Sequence, residues 1–415
     1  MLKRSAKDVA KALRSTALAL VGIAGLSVDY CTPAQAQQPF KIGVIEDLTG
    51  PYSGIAGPGT VAAIKMAVAE FGGKVLGRDI EVLVATDQNK PDIGSGIARR
   101  WFEQEGVMMI AGLQSSNTAL AVQNIAREFN RINIVTSAAT AELTGRGCSP
   151  TGFHWHIDTN ASANSLVDAL VKEGGNRWYF ITVDYNYGHV LQADATTVIQ
   201  QAGGRVLGSS KHPLGALDYS SVILSAQSSG ANVIGIANAG ADLDNVIKAA
   251  NEFRLLQGGK QRLAAFFLQT VNIQSVGQDL AKGLYTPTAF FPNLNEETKA
   301  WSIRFSKEVG HDRPPTANQA AGYAGVLHYL KSVSAAGTDD AKVVAAKMRE
   351  LPVNDMMTKD AIVRKDGRLV RDVYVVQVKE KAAAKDKFDL FDLVATVPSN
   401  RAFRSLAEAG CPYAQ

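Results

Sequence analysis

The sequence has no segment able to cross a bilayer as a helix. That takes about 18 or more consecutive apolar residues, and the longest candidate, "STALALVGIAGLSV", runs only from residue 15 to 28. The usual signatures of catalysis are missing too. There is no G-x-S-x-G for a serine nucleophile, no H-E-x-x-H for zinc and no G-x-x-x-x-G-K-[ST] for a nucleoside triphosphate. No G-x-G-x-x-G follows the first strand to hold a dinucleotide. No enzyme activity and no cofactor are therefore expected. Charge of one sign is also scarce. The formal net charge is +4, and Lys3, Arg4, Lys7, Lys11 and Arg14 crowd the start of the chain beside a single acid, Asp8. The remainder is close to neutral and carries no basic stripe, which excludes nucleic acid as a partner.

The first residues read as an address. A basic start and the short apolar run lead into "CTPAQAQQ", where Ala34 and Ala36 form an A-x-A site. This is the three-part pattern of a secretory signal peptide, expected to span 1–36 with cleavage after Ala36. An uncleaved anchor is the rival reading. The residues before Cys31, "VDY", disfavour a lipoprotein site. A periplasmic location is expected. Of three cysteines in 415 residues, loss of the signal leaves Cys148 and Cys411. In an oxidising compartment such a pair reads as a disulfide. It would tie a tail, 401–415, to the middle of the chain, for at most ~5 kcal/mol in the chain-entropy account. Two free thiols are the alternative.

Strands and helices alternate in the mature chain. "KIGVIEDLTG", "RDIEVLVATD", "VMMIAG" and "INIVTSA" read as strands, each separated from the next by a helical stretch such as "GTVAAIKMAVAEF". The rhythm returns in "WYFITVD", "RVLGSS", "ANVIGIAN" and "LAAFFLQ". The strands are continuously apolar, as in sheets covered on both faces, and the order implies right-handed crossovers and parallel sheets. Two runs result, 40–157 and 158–285. From about 295 to 350 helices dominate. A hairpin around Asp366-Gly367 and a late strand in "FDLFDLVATV" follow. Late elements of mixed type suggest that the chain returns to complete the earlier sheets, leaving several strands crossing between two lobes.

The junction "GLQSSNTALAV", residues 112–122, joins a strand to a helix with only small polar residues, Ser115, Ser116, Asn117 and Thr118. In an open parallel sheet, ligands bind beyond the carboxyl ends of the strands. Unpaired N–H groups of the first helical turn point there, with roughly +0.5 charge from the dipole. Without a lysine, the junction suits a carboxylate better than a triphosphate. The plain alternative is that Ser115 or Ser116 caps the helix, worth ~1 kcal/mol. The next strand end, "TSAATAELTGRG", again offers small residues around Ala138 and Thr140. Adjacent strand ends lie ~5 Å apart, so Ser115, Ser116, Ala138 and Thr140 could donate to one carboxylate.

These stretches, with "KIGVIEDLTGPYSGIAGPG" and "VDYNYGHVLQADA", resemble the periplasmic substrate-binding proteins of ABC importers in the leucine/isoleucine/valine-binding family. The resemblance spans about residues 40 to 400. It implies an α/β fold of two Rossmann-like lobes with mainly parallel sheets and a three-segment hinge, the type I periplasmic binding protein fold. Lobe 1 would comprise 40–157 plus 286–362, and lobe 2 158–285 plus 363–400. The positions matching Ser115, Ala138 and Thr140 grip a ligand's α-carboxylate in that family. A membrane permease and an ATPase are implied as partners, and a monomer is expected.

The chain departs from the amino-acid binders in its second lobe. Where an acid normally neutralises the ligand's ammonium, "FFLQTVN" offers Gln269, Thr270 and Asn272. A buried ammonium without a counter-charge costs several kcal/mol. Asp242, Asp184 and Asp158 are the possible substitutes. Ile55 and Asn238 stand where aromatic residues are usual, and Tyr52 could compensate for the first. Tyr187 is retained, with Tyr185 beside it. "GFHWHID" places Phe153, Trp155, His154 and His156 near a crossover, either as core or as site; a metal pair there is a weak signal. The expected cargo is a small carboxylate, either an amino acid or an amine-free aromatic or keto acid. A periplasmic ligand-sensing subunit is the alternative role.

Overall fold

The computed structural model describes residues 38–256, 259–310 and 313–414. The expected signal peptide, 1–36, lies outside the described residues. Among those described, no helix is long and apolar enough to cross a membrane.

Two sheets organise the chain. The first has the order β2-β3-β1-β4-β5-β6. Its strands are β1 (Phe40–Glu46), β2 (Lys74–Val75), β3 (Arg78–Thr86), β4 (Val107–Gly112), β5 (Ile132–Val135) and β6 (Gly152–His154). All pairings are parallel except β2 with β3. The second has the order β15-β14-β11-β10-β9-β7-β8. It contains β7 (Arg177–Val183), β8 (Arg205–His212), β9 (Val233–Ala237), β10 (Arg262–Ala265) and β11 (Tyr285–Thr288) in parallel. The strands β14 (Val373–Val378) and β15 (Phe391–Val397) extend it antiparallel. A two-stranded hairpin, β12 (Ile362–Val363) with β13 (Leu369–Val370), turns at Asp366-Gly367 as the sequence suggested.

Apolar clusters cover both faces of each sheet, which explains why these strands lack polar alternation. The late helices Glu296–Glu308, Ala317–Ala336 and Ala341–Glu350 return to the first sheet, and Trp301, Tyr323 and Met348 enter its core. The late strands return to the second. The chain therefore passes between the lobes three times: after β6, after β11 and between β13 and β14. Because β11 pairs within the second sheet, its residues 286–288 stay with that lobe.

Two buried arginines join the first and third passages. Arg368 donates to the carbonyls of His156 and Leu369 and lies 3.4 Å from the Asp158 carboxylate. Arg371 donates to the Trp155 carbonyl at 3.4 Å. Burial lowers the Arg368 pKa to about 10, against the pull of Asp158 and Asp366. Cys148 and Cys411 form the disulfide, with Cα atoms 5.7 Å apart. It fixes the C-terminal tail beside the loop that follows the 3-10 turn Ala141–Thr144.

Candidate functional site

The carboxyl ends of β4 and β5 meet in two tight turns. At the first, Gly112 has φ +94° and Leu113 has φ +67°, a left-handed conformation that strains a leucine. A Cβ at 112 would meet the Ile45 carbonyl at 2.8 Å and the Glu46 carboxylate at 2.9 Å, so glycine is required. The turn brings Ser115 to the N-cap of the helix Ser116–Glu128, yet its side chain makes no capping bond. The capping alternative thus does not account for its hydroxyl. Among the described residues, the first-turn N–H groups of Ser116, Asn117 and Thr118 have no protein acceptor. At the second turn, the Thr140 N–H is likewise unpartnered. Its Oγ1 accepts weakly from the Glu142 N–H at 3.4 Å. Ser115, Ser116 and Thr140 are all buried.

Ala138 differs from the expectation. Its N–H donates to the Leu113 carbonyl at 3.0 Å, and its carbonyl accepts from His154 Nε2 at 2.7 Å. It staples the two turns together and has no free donor. Sequence reasoning also missed Asn318, at the start of the helix Ala317–Ala336. Its amide donates to the Ser137 carbonyl at 3.1 Å and to Gln114 Oε1 at 3.3 Å, bracing both turns from below. Nothing in "PPTANQA" marks that role, because the residues it joins lie some two hundred positions earlier.

The second lobe presents aromatic and amide groups. Tyr187 lies in the first turn of the helix Asn186–Gln201, edge-on to Phe267 at 5.9 Å, with its hydroxyl buried and unpartnered. Tyr185 Oη lies 2.8 Å from Tyr52 Oη, a bond from lobe to lobe. Burial raises all three tyrosine pKa values, so the hydroxyls stay protonated. Asn238, at the end of β9, is fully buried; its Oδ1 lies 3.1 Å from His212 Nε2, and its Nδ2 has no partner. Gly240 presses against the first lobe. At φ +57°, a Cβ there would meet the Pro51 carbonyl at 2.5 Å and the Tyr52 ring at 2.9 Å. Tyr52, Ile55 and Ala139 pack in one apolar cluster with Tyr187, Ala239 and Phe267, so the lobes are closed on each other.

Gln269 differs from its expected part as a ligand contact. Its Oε1 accepts from the Ala317 N–H at 2.9 Å, where an orphan donor of the long helix captures it. It clasps the second lobe to the first. The three substitute acids are engaged as well. Asp158 caps the helix Thr159–Lys172 and faces Arg368. Asp184 is exposed and paired with His189 at 2.7 Å, which lowers its pKa. Asp242 accepts from the Tyr219 hydroxyl at 2.8 Å and the Gly215 N–H at 3.1 Å, and burial raises its pKa.

Phe153 and Trp155 are core residues of the first lobe. His154 and His156 donate to the Ala138 and Ile157 carbonyls. Burial lowers both pKa values, that of His156 to about 3. Among the described residues, no group of three or more His, Cys, Asp or Glu could hold a metal. Asp194 supports the loop at Thr140-Ala141 from across the lobes. It accepts from Thr159 Oγ1 at 2.6 Å, and that oxygen accepts from the Ala141 N–H at 3.2 Å.

Two α/β lobes, joined by three passages and closed over donor-rich strand ends, define a type I solute-binding protein. A model of the periplasmic binding protein family matches residues 39–385, and the chain belongs to that family, in its branched-chain amino acid ABC transporter branch. A periplasmic binding protein of Burkholderia mallei is 38% identical, covering 91% of this chain and 99% of that one with a TM-score of 0.88. A branched chain amino acid ABC transporter periplasmic ligand-binding protein of Burkholderia xenovorans LB400 is 32% identical over 91% and 100%, with a TM-score of 0.81. A solute-binding protein of Rhodopseudomonas palustris BisB5, solved with 3,4-dihydroxybenzoic acid, is 21% identical over 87% and 98%, with a TM-score of 0.78. That last likeness is one of fold. The family is periplasmic and of a non-enzymatic class.

Proposed function

We propose that this protein captures a small carboxylate that lacks an amine, an aromatic or keto acid, and delivers it to a membrane permease and ATPase. The carboxylate rests on the N–H groups after Ser115, on the Ser115 and Ser116 hydroxyls and on Thr140. Tyr187 and Asn238 form the opposite wall, and Tyr52 meets it from the first lobe. The carrying observation is one of charge. The site supplies donors at the first lobe, while Asp158, Asp184 and Asp242 are each held by other partners. None of these three is free to balance a ligand's ammonium, whose burial without a counter-charge costs several kcal/mol. The dihydroxybenzoate complex of the R. palustris protein supports the same reading by fold. A ligand touching both lobes favours the closed arrangement. Export through the 1–36 signal and action as a monomer complete the proposal.

Calorimetry with benzoate, 4-methyl-2-oxopentanoate and leucine tests it. Binding of either amine-free acid, with leucine at least tenfold weaker, is expected. Leucine binding more tightly than both would overturn the reading.

A further inference from the structure

We infer that the far end of the cargo carries an oxygen, read in the second lobe by Asn238 and Tyr187. The inference rests on the amine-free acid proposed above and adds what the other end of that acid must be.

Asn238 is fully buried and Tyr187 nearly so. The Asn238 Nδ2 and the Tyr187 hydroxyl are both without a partner among the described residues. A buried polar group left unpaired costs about 1–3 kcal/mol, and Tyr187 shares one apolar cluster with Ala237 and Ala239, the residues flanking Asn238; two such groups so placed call for a polar guest. Asn238 directly follows Ala237, which pairs with Thr182 near the end of β7, two residues before Asp184 and three before Tyr185. Two residues after it, Gly240 touches Pro51 and Tyr52 of the first lobe. Both orphan groups therefore belong to the closed face between the lobes.

His212 fixes how Asn238 is presented. Its Nδ1 lies 2.9 Å from the Pro213 carbonyl, which can only accept, and its Nε2 lies 3.1 Å from the Asn238 amide. Whichever hydrogen Nε2 carries or lacks, one edge of that amide is held by the ring. The other edge stays free. With the Tyr187 hydroxyl, which donates and accepts, it complements a hydroxyl or carbonyl oxygen. It does not complement a methyl group, and it gives no charge to an ammonium.

Calorimetry with benzoate and 4-hydroxybenzoate, on the wild type and on Asn238→Leu and Tyr187→Phe, tests this. The wild type should bind 4-hydroxybenzoate about tenfold more tightly than benzoate or better, as one well-made hydrogen bond allows. That ratio should fall towards one in each variant. Tyr187→Phe keeps the ring, so it reads the hydroxyl even if Asn238→Leu folds poorly. Equal affinities for the two acids in the wild type, or an unchanged ratio in Tyr187→Phe and a folded Asn238→Leu, would overturn the inference and leave the amine-free reading intact. Binding of leucine with neither benzoate bound would overturn both.

Discussion

The two lobes share one architecture and differ in what their strand ends offer. At β4 and β5 the first ends in hydroxyls and unpaired N–H groups, with no lysine or arginine, while its β1 ends in the buried acid Glu46. The second ends in tyrosines, an amide and acids that already have partners. The same parallel sheet therefore makes a cradle of free donors on one side and a shaped, mostly neutral wall on the other. Backbone placement decides the first. The strand-to-helix turn exposes N–H groups whatever the side chains are. Side-chain chemistry decides the second, which is where family members can diverge in cargo.

The contrast can be broken most severely in the first lobe. Replacing Ser115 and Thr140 together by alanine removes two hydroxyls, each worth ~1–3 kcal/mol. Benzoate affinity should fall about a hundredfold, measured by calorimetry, while the melting temperature of the unliganded protein changes little. Undiminished affinity would place the cradle elsewhere.

A smaller effect concerns the second lobe's brace. Burial raises the Asp194 pKa to about 6, against the hydrogen bond from Thr159. The unfolded value is near 3.9. The folded state thus holds this proton more tightly. The associated stability is fully present below pH ~3.9 and is lost as pH rises through about 6. The loss amounts to no more than ~3 kcal/mol at 1.36 kcal/mol per unit. Asp194→Asn should flatten the fall in melting temperature between pH 4 and 7. Parallel curves for variant and wild type would show that Asp194 is not the group responsible.

The smallest effect sharpens the seam itself. Tyr185→Phe deletes the hydroxyl that meets Tyr52 across the lobes and keeps the ring. A net loss of ~0.5–1.5 kcal/mol in closure is expected. It should appear as a two- to tenfold faster release of benzoate in stopped flow, with an unchanged association rate. An unchanged release rate would mean that this bond does not hold the closed form.

Most of the fold was legible because continuous apolar strands and helix stops are local signals. The hairpin at Asp366-Gly367 and the late strand were read from the same kind of pattern. The two turns at 115 and 140 were legible as adjacent strand ends rich in small residues. What escaped was long-range. Ala138 looked like a donor until the Leu113 carbonyl and His154 proved to be its partners. Gln269 looked like a ligand contact until the Ala317 N–H, forty-eight residues on, claimed its oxygen. Asn318 gave no sign at all. In each case the partner is set by tertiary packing, and no spacing in the sequence encodes it. The short strands β6 and β11 were missed because three or four residues carry little periodicity of their own.

Gly240 gives the seam a further meaning. With the Pro51 carbonyl only 2.5 Å from where a methyl group would stand, the absence of one carbon sets how far the jaws can travel. Any larger residue there is a doorstop: the protein would still fold and still meet its cargo, but it would present the transporter with a mouth held ajar.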